Sequence, residues 1–157
     1  MDLRPMRETD AAEVAALIRD AFARQPVMLD PPASALGVTG RAIAEHLATG
    51  SGAVAQADGK IVGAVLWKER AGGLYVSRLA VASSARRRGV ARALLAFAER
   101  AARSLGHPRL HLGTRLALTG NRRLFAAVGF VEIAWHAHPG YTAPTWVEME
   151  KSLAGPR

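Results

Sequence analysis

The residues Arg86-Arg87-Arg88-Gly89-Val90-Ala91 are the part of this chain best suited to hold a charged group. They follow the apolar run Leu74 to Val81 and open a stretch whose apolar residues recur at helical spacing. A helix start leaves several backbone N–H groups without partners, and its dipole makes that end electropositive. Gly89 and the small Ala91 let an anion approach the backbone, and the arginines add forked donors that match phosphate geometry. A strand, a basic turn and a helix in this order make a cradle for a pyrophosphate. A solvated basic helix start is the plainer alternative.

Other residues could carry chemistry. Asn121 heads the segment Asn-Arg-Arg-Leu-Phe-Ala-Ala-Val-Gly-Phe and is a good helix cap. Tyr141 sits in a Pro-Gly loop; it can donate a proton, or it is simply a surface tyrosine. His111 lies on a predicted strand and reads as a satisfied, half-buried ring, while His136 and His138 could bring one ring near a cleft. Arg78 and Arg115 flank the two strands 74–81 and 110–114, and Arg78 alternates away from Leu79 and Val81. Arg78 could hold a substrate carboxylate or be an ordinary surface arginine. Glu69, at a hairpin end, reads as solvated. The histidines lack metal-ligand companions, so no metal is expected.

These groups need elements to position them. Leu3 to Met6 reads as a first strand. Asp10 starts a helix, with Glu13 completing a capping-box pattern and Val14, Leu17, Ile18, Ala21 and Phe22 in one stripe. Pro26, Pro31 and Pro32 break the segment 25–37, and Thr39 can cap a second helix. Asp58-Gly59 joins two strands as a hairpin, and Gly72-Gly73 turns the chain into Leu74 to Val81. The helix after the basic turn carries Val90, Leu94, Phe97, Ala98, Ala101 and Leu105 inward and ends at Gly106 and Pro108. A strand over 110–114, a helix over 121–128 and strands over 130–136 and 145–151 complete the chain.

The spacing Arg86-x-x-Gly89-x-Ala91 behind Leu79-Ala80-Val81, with Asn121, Phe125 and Gly129-Phe130 downstream, resembles the GNAT N-acetyltransferase superfamily from Leu3 to about Leu153. The resemblance implies an α/β fold in a single domain over 1–157: a mixed, mostly antiparallel seven-stranded sheet flanked by about four helices and splayed between its fourth and fifth strands. It implies acetyl-CoA as acetyl donor. Leu79, Ala80 and Val81 would pair with the pantetheine arm, Arg86, Arg87, Arg88, Gly89, Val90, Ala91 and Arg92 would hold phosphates, and Asn121 and Phe125 would meet the arm. The reaction implied is acetyl transfer to a primary amine of a small molecule, peptide or protein, by direct attack in a ternary complex. Dimers are common in that family.

Two positions depart from the family pattern. Phe125 stands where many members have a tyrosine that protonates the departing thiolate, and Tyr75 stands where one branch has a glutamate base. Tyr141 is the candidate to fill the vacant acid role. The same vacancies leave a second reading, a CoA-binding regulator without catalysis.

Composition narrows the field. Half of the 157 residues are hydrophobic, enough for one core, and no apolar run approaches the ~20 residues of a membrane span. The chain has no cysteine, which excludes an acyl-cysteine intermediate, and its first residues show no signal-peptide pattern, so a cytoplasmic enzyme is expected. The net charge of +8 invites a nucleic-acid reading, but the arginines are scattered and aromatics too few for a stacking platform. Neither nucleic acid nor membrane is expected as a partner.

Overall fold

The computed structural model describes residues 1–153. Its elements run β1 (Asp2–Pro5), α1 (Ala11–Ala23), α2 (Gly40–Thr49), β2 (Ser51–Ala57), β3 (Lys60–Arg70), β4 (Gly73–Val81), α3 (Val90–Ser104), β5 (Arg109–Arg115), α4 (Thr119–Ala127), β6 (Val131–His136) and β7 (Trp146–Ser152). The seven strands form one sheet in the order β1-β2-β3-β4-β5-β7-β6. Every neighbouring pair is antiparallel except β4 and β5, which are parallel. This is the mixed, four-helix α/β architecture expected from the sequence. Among the described residues, no helix is long and apolar enough to cross a membrane.

Local chemistry explains most boundaries. Asp58 and Gly59 both have positive φ (51° and 76°), the pairing a tight hairpin between right-twisted strands requires. Thr39 caps α2 by accepting the Ala42 N–H at 3.1 Å. The capping box expected between Asp10 and Glu13 does not form. Asp10 instead accepts the Arg7 backbone N–H at 2.8 Å and both arms of Arg4 at 2.8 Å. Glu13 reaches across to the Ile61 N–H at 2.9 Å, tying α1 to the hairpin.

The sheet has a core on each face. On one, α3 inserts Val90, Leu94, Leu95, Ala98 and Ala102 against Val65, Leu74, Leu110 and Val147. On the other, α1 and α2 press Val14, Ile18 and Ile43 onto Val54, Ala64 and Ala80. Leu105, expected inward, is 56% exposed, because it follows the last residue of α3 and turns outward with the chain. Leu95 and Ala102 take the inward places that the sequence reading omitted.

The feature that matters for function is between β4 and β5. They share register only at Leu74–Leu110 and Tyr75–His111. Beyond Tyr75 the strands part, leaving the second half of β4 paired to β3 alone.

The Arg4–Asp10 pair joins β1 to the start of α1 and yields a pH-dependent prediction. The Arg4 hydrogen bond holds the Asp10 carboxyl below its ordinary pKa. A depressed carboxylate pKa adds stability that is present at neutral pH and fades as pH falls through the depressed value. Asp10→Asn should therefore lose about 1–3 kcal/mol at pH 7. Denaturant titrations should show that gap shrinking towards pH 3. A gap unchanged with pH would mean that the pair is not coupled to folding.

Candidate functional site

A cleft of about 550 Å³ occupies the opening between β4 and β5. Tyr75, Ser77, Arg78 and Leu79 form its β4 wall, and Leu112, Thr114 and Arg115 its β5 wall. Leu118, Asn121 and Phe125, on α4 and the turn before it, close one side. Phe22 of α1 and the segment Leu29 to Ser34 close another. His138 and Trp146 complete the lining. Gly113 makes room on the floor, because a side chain there would meet the Trp146 ring at 3.1 Å.

The β4 wall is irregular. Ser77 faces Leu66 and Ala80 faces Ala64, so Arg78 and Leu79 together oppose Val65 alone. This bulge puts Arg78 at φ 54°, an uncommon conformation for a non-glycine residue. It also turns the Arg78 side chain to the α1–α2 segment, where Nη2 donates to Ser34 Oγ at 3.1 Å. Across the cleft, Arg115 Nη2 donates to the Pro32 carbonyl at 3.2 Å. Burial pushes the pKa of each guanidinium down from its ordinary value.

Past the end of β4, one 3-10 turn at Ser83–Ala85 leads into the basic turn. Arg87 (φ 63°) and Gly89 (φ 75°) are both left-handed. The first intrahelical bond of α3 runs from the Ala93 N–H to the Gly89 carbonyl at 3.0 Å. The N–H groups of Val90, Ala91 and Arg92 therefore have no acceptor within the helix, and among the described residues no side chain caps it. Arg86, Arg87 and Arg88 are exposed and form no ion pair among the described residues.

The structure thus sorts the residues singled out in the sequence. Leu79, Asn121, Phe125 and Arg78 meet in the cleft. Ala80 is buried under α1, and Val81 packs towards α3; neither lines the cleft. The basic turn, through Arg92, lies outside the lining, at the open end of the same strand. Asn121 is not the cap of α4: Leu118 holds that place, and Asn121 is the third helical residue, half-buried, with its side chain free of hydrogen bonds among the described residues. Phe125 is buried edge-on against Phe130, ring centres 5.9 Å apart.

The histidines separate clearly. His111 is not satisfied as expected: its Nε2 is buried without a hydrogen-bond partner among the described residues, and its Nδ1 lies 3.8 Å from Glu150. His136 pairs with Glu148 at 2.7 Å and stacks on Trp146. Glu69, expected to be solvated, pairs with His107 at 2.6 Å. Only His138 among these lines the cleft. Its backbone N–H and Nδ1 both contact Thr145 Oγ1, whose own proton faces the His136 carbonyl at 3.5 Å. Nδ1 is thus engaged with Thr145, and Nε2 is the ring nitrogen without a hydrogen-bond partner among the described residues. Burial, and secondly the Arg115 charge, lower the pKa of His138, so the ring is neutral near pH 7.

Tyr141 stands outside the cleft lining. Its hydroxyl donates to Asp30 Oδ1, closing the last loop onto the 25–37 segment. Sequence reasoning did not single out Thr114, Ser77, Leu118 or Trp146 as cleft residues. Trp146 opposes Arg115 in the β5–β7 register, so only strand pairing could have found it.

Comparison with known proteins fits this geometry. The acetyltransferase (GNAT) family matches residues 16–130. No curated protein sequence matches the chain. An aminoglycoside 6'-acetyltransferase type Ii superposes with a TM-score of 0.80 at 16% identity, covering 100% of both chains. A ribosomal-protein-alanine N-acetyltransferase from Brucella melitensis gives 0.74 at 21%, covering 98% of this chain and 100% of the other. The yncA protein from Salmonella typhimurium, solved with its cofactor acetyl-CoA, gives 0.74 at 17%, covering 100% and 96%. At these identities the likeness is one of fold.

The Tyr141–Asp30 contact is open to direct measurement. A phenol that donates to a carboxylate resists ionisation, and the hydrogen bond to Asp30 raises the Tyr141 pKa. Asp30→Asn should shift the Tyr141 phenolate titration, read by ultraviolet absorbance against Tyr141→Phe, to lower pH. An unmoved titration would show that the two side chains do not meet in solution.

Proposed function

The chain belongs to the acetyltransferase (GNAT) family, and on that premise we propose that it transfers the acetyl group of acetyl-CoA to a primary amine. The observation that carries the reading is the continuity of one segment: the bulged, half-unpaired strand β4 runs through the basic turn into the uncapped start of α3. An amide-rich arm ending in a pyrophosphate has both complements there, a strand edge and a row of free N–H groups with exposed arginines. Leu79, Ala80 and Val81 offer the edge. Arg86, Arg87, Arg88, Gly89, Val90, Ala91 and Arg92 hold the phosphates, and Asn121 and Phe125 meet the arm from α4. A side chain at Gly89 would point into open space, so the surface above it is accessible.

Acetyl-CoA supplies an activated thioester. The protein's part is to align an amine with it in the cleft, to present a backbone donor from the Arg78–Leu79 bulge to its carbonyl oxygen, and to move protons. As the amine nitrogen bonds to the acetyl carbon and the carbon–sulfur bond breaks, the amine gives up a proton. Neutral His138 is the group in the cleft able to accept it at Nε2. The geometry favours His138 over Tyr141 for proton handling, because the Tyr141 hydroxyl is already committed to Asp30. Phe125 offers no proton to the departing sulfur, which leaves water or the returning His138 proton for that step.

Acetyl-CoA should raise the thermal midpoint by binding the folded state alone. Gly89→Asn, which suits a left-handed position, should retain most of this effect; Gly89→Asp sets a carboxylate against the pyrophosphate and should weaken calorimetric affinity at least tenfold. Equal affinities for the two variants would remove the phosphate site from this turn. A screen of amines with free-thiol detection tests turnover itself, and binding without thiol release would favour a regulatory role instead.

With a working amine, kcat should rise with pH through a midpoint below the ordinary histidine range, since the base must be neutral and its pKa is lowered. His138→Gln should cut kcat by about a hundredfold or more and abolish that limb. An intact acid limb in the variant would assign it to another group.

A further inference from the structure

Five arginines are half-buried among the described residues: Arg4, Arg78, Arg109, Arg115 and Arg122. Three have carboxylate partners, Asp10 at 2.8 Å, Glu150 at 3.7 Å and Glu132 at 2.8 Å. The other two, Arg78 and Arg115, have none within 4.0 Å among the described residues, and both line the cleft. They stand on opposite walls, Arg78 on the β4 bulge and Arg115 at the end of β5. A guanidinium taken out of water without an anion is unfavourable, so a pair of them facing one cavity is a site prepared for an anion.

Each arginine gives a single donor to a neutral oxygen, Ser34 Oγ and the Pro32 carbonyl, and both oxygens belong to the segment that roofs the cleft. A guanidinium has five N–H donors, so most of each fork is uncommitted. The nearby carboxylate, Asp30, accepts from the Tyr141 hydroxyl and forms no ion pair with either arginine among the described residues; its charge reaches Arg115 only as a secondary influence behind burial. Tyr75 lies under the Arg70 guanidinium at 3.9 Å, and His138, its pKa lowered by burial, is a neutral neighbour.

We propose that the acetyl acceptor is an amine that carries a carboxylate in the same small molecule, and that Arg78 and Arg115 grip that carboxylate from the two walls of the cleft. The inference rests on the acetyltransferase reading and gives it a substrate class. The bulge at Arg78 then has a purpose for the acceptor: it turns a β4 side chain towards the α1–α2 segment. The exposed basic turn serves the donor's phosphates, and the half-buried pair serves the acceptor's charge.

The test uses the full chain and acetyl-CoA with a panel of α- and ω-amino acids, each set beside its carboxamide and its decarboxylated amine, with thiol release as the readout. The best acceptor should carry a free carboxylate. Converting it to the carboxamide should lower kcat/KM at least tenfold, mostly through KM. Arg78→Gln and Arg115→Gln should each erase most of that preference, and Arg115→Gln, which lies outside the donor's strand, should leave calorimetric acetyl-CoA affinity unchanged. Arg115, at an ordinary φ, guards against folding loss in the Arg78 variant. Turnover indifferent to the carboxylate would overturn this inference and leave acetyl transfer standing. Loss of acetyl-CoA affinity in Arg115→Gln would also overturn it, assigning the pair to the donor's phosphates. No thiol release with any amine would bring down the acetyltransferase reading and this inference together.

Discussion

The cleft depends on a parallel strand pair that is closed at one end and open at the other. At the closed end, Leu74 and Leu110 are almost fully buried beside each other in the α3 core, and Tyr75–His111 is the last registered step. Burying two leucines in one packed layer removes substantial apolar surface from water, and that pins the strands where they meet. Beyond that point nothing in the sheet holds them together. β4 continues with β3, β5 continues with β7, and the angle between them is set by what packs on each side.

Separation leaves backbone groups without strand partners, which is unfavourable unless water or a ligand satisfies them. The fold limits that cost in two ways. The gap is placed at the surface, so water can reach it. The irregularity is concentrated in one bulge at Arg78–Leu79, while Ala80 and Val81 return to regular pairing with β3. The side chains that wall the gap are anchored from elsewhere: Phe125 by Phe130, Trp146 by His136, and His138 by Thr145. Rigid walls around unpaired backbone suit a site that positions a substrate.

Much of this was legible in the sequence. The strand–turn–helix of 74–105 was plain because apolar periodicity changes from two to about 3.6 across a glycine-bearing turn. Asp58-Gly59 and Thr39 were read correctly for the same reason, that their chemistry is local. What escaped was non-local. Glu13 looked like a cap but bonds to β3, forty-eight residues away. Asn121 looked like a cap but is displaced by Leu118, because α4 begins before it. Tyr141 was a sound chemical candidate whose hydroxyl is claimed by Asp30, one hundred and eleven residues distant. That Arg78 and Arg115 flank the diverging strands was legible, but that neither has an ion-pair partner among the described residues depends on side-chain geometry that no spacing along the chain encodes.

The uneven setting of the arginines follows from the same divergence. At the basic turn the guanidinium groups are in water, where salt screens each one and a single contact contributes little. They act together, as a diffuse positive region above an uncapped helix start, and suit a large, multiply charged, mobile group. Inside the gap the surroundings are partly desolvated, so a single charge counts for more and its orientation is fixed by Ser34 or Pro32. One sheet defect thus sets arginines in two electrostatic surroundings along the same strand, a solvated one outside it and a partly desolvated one within.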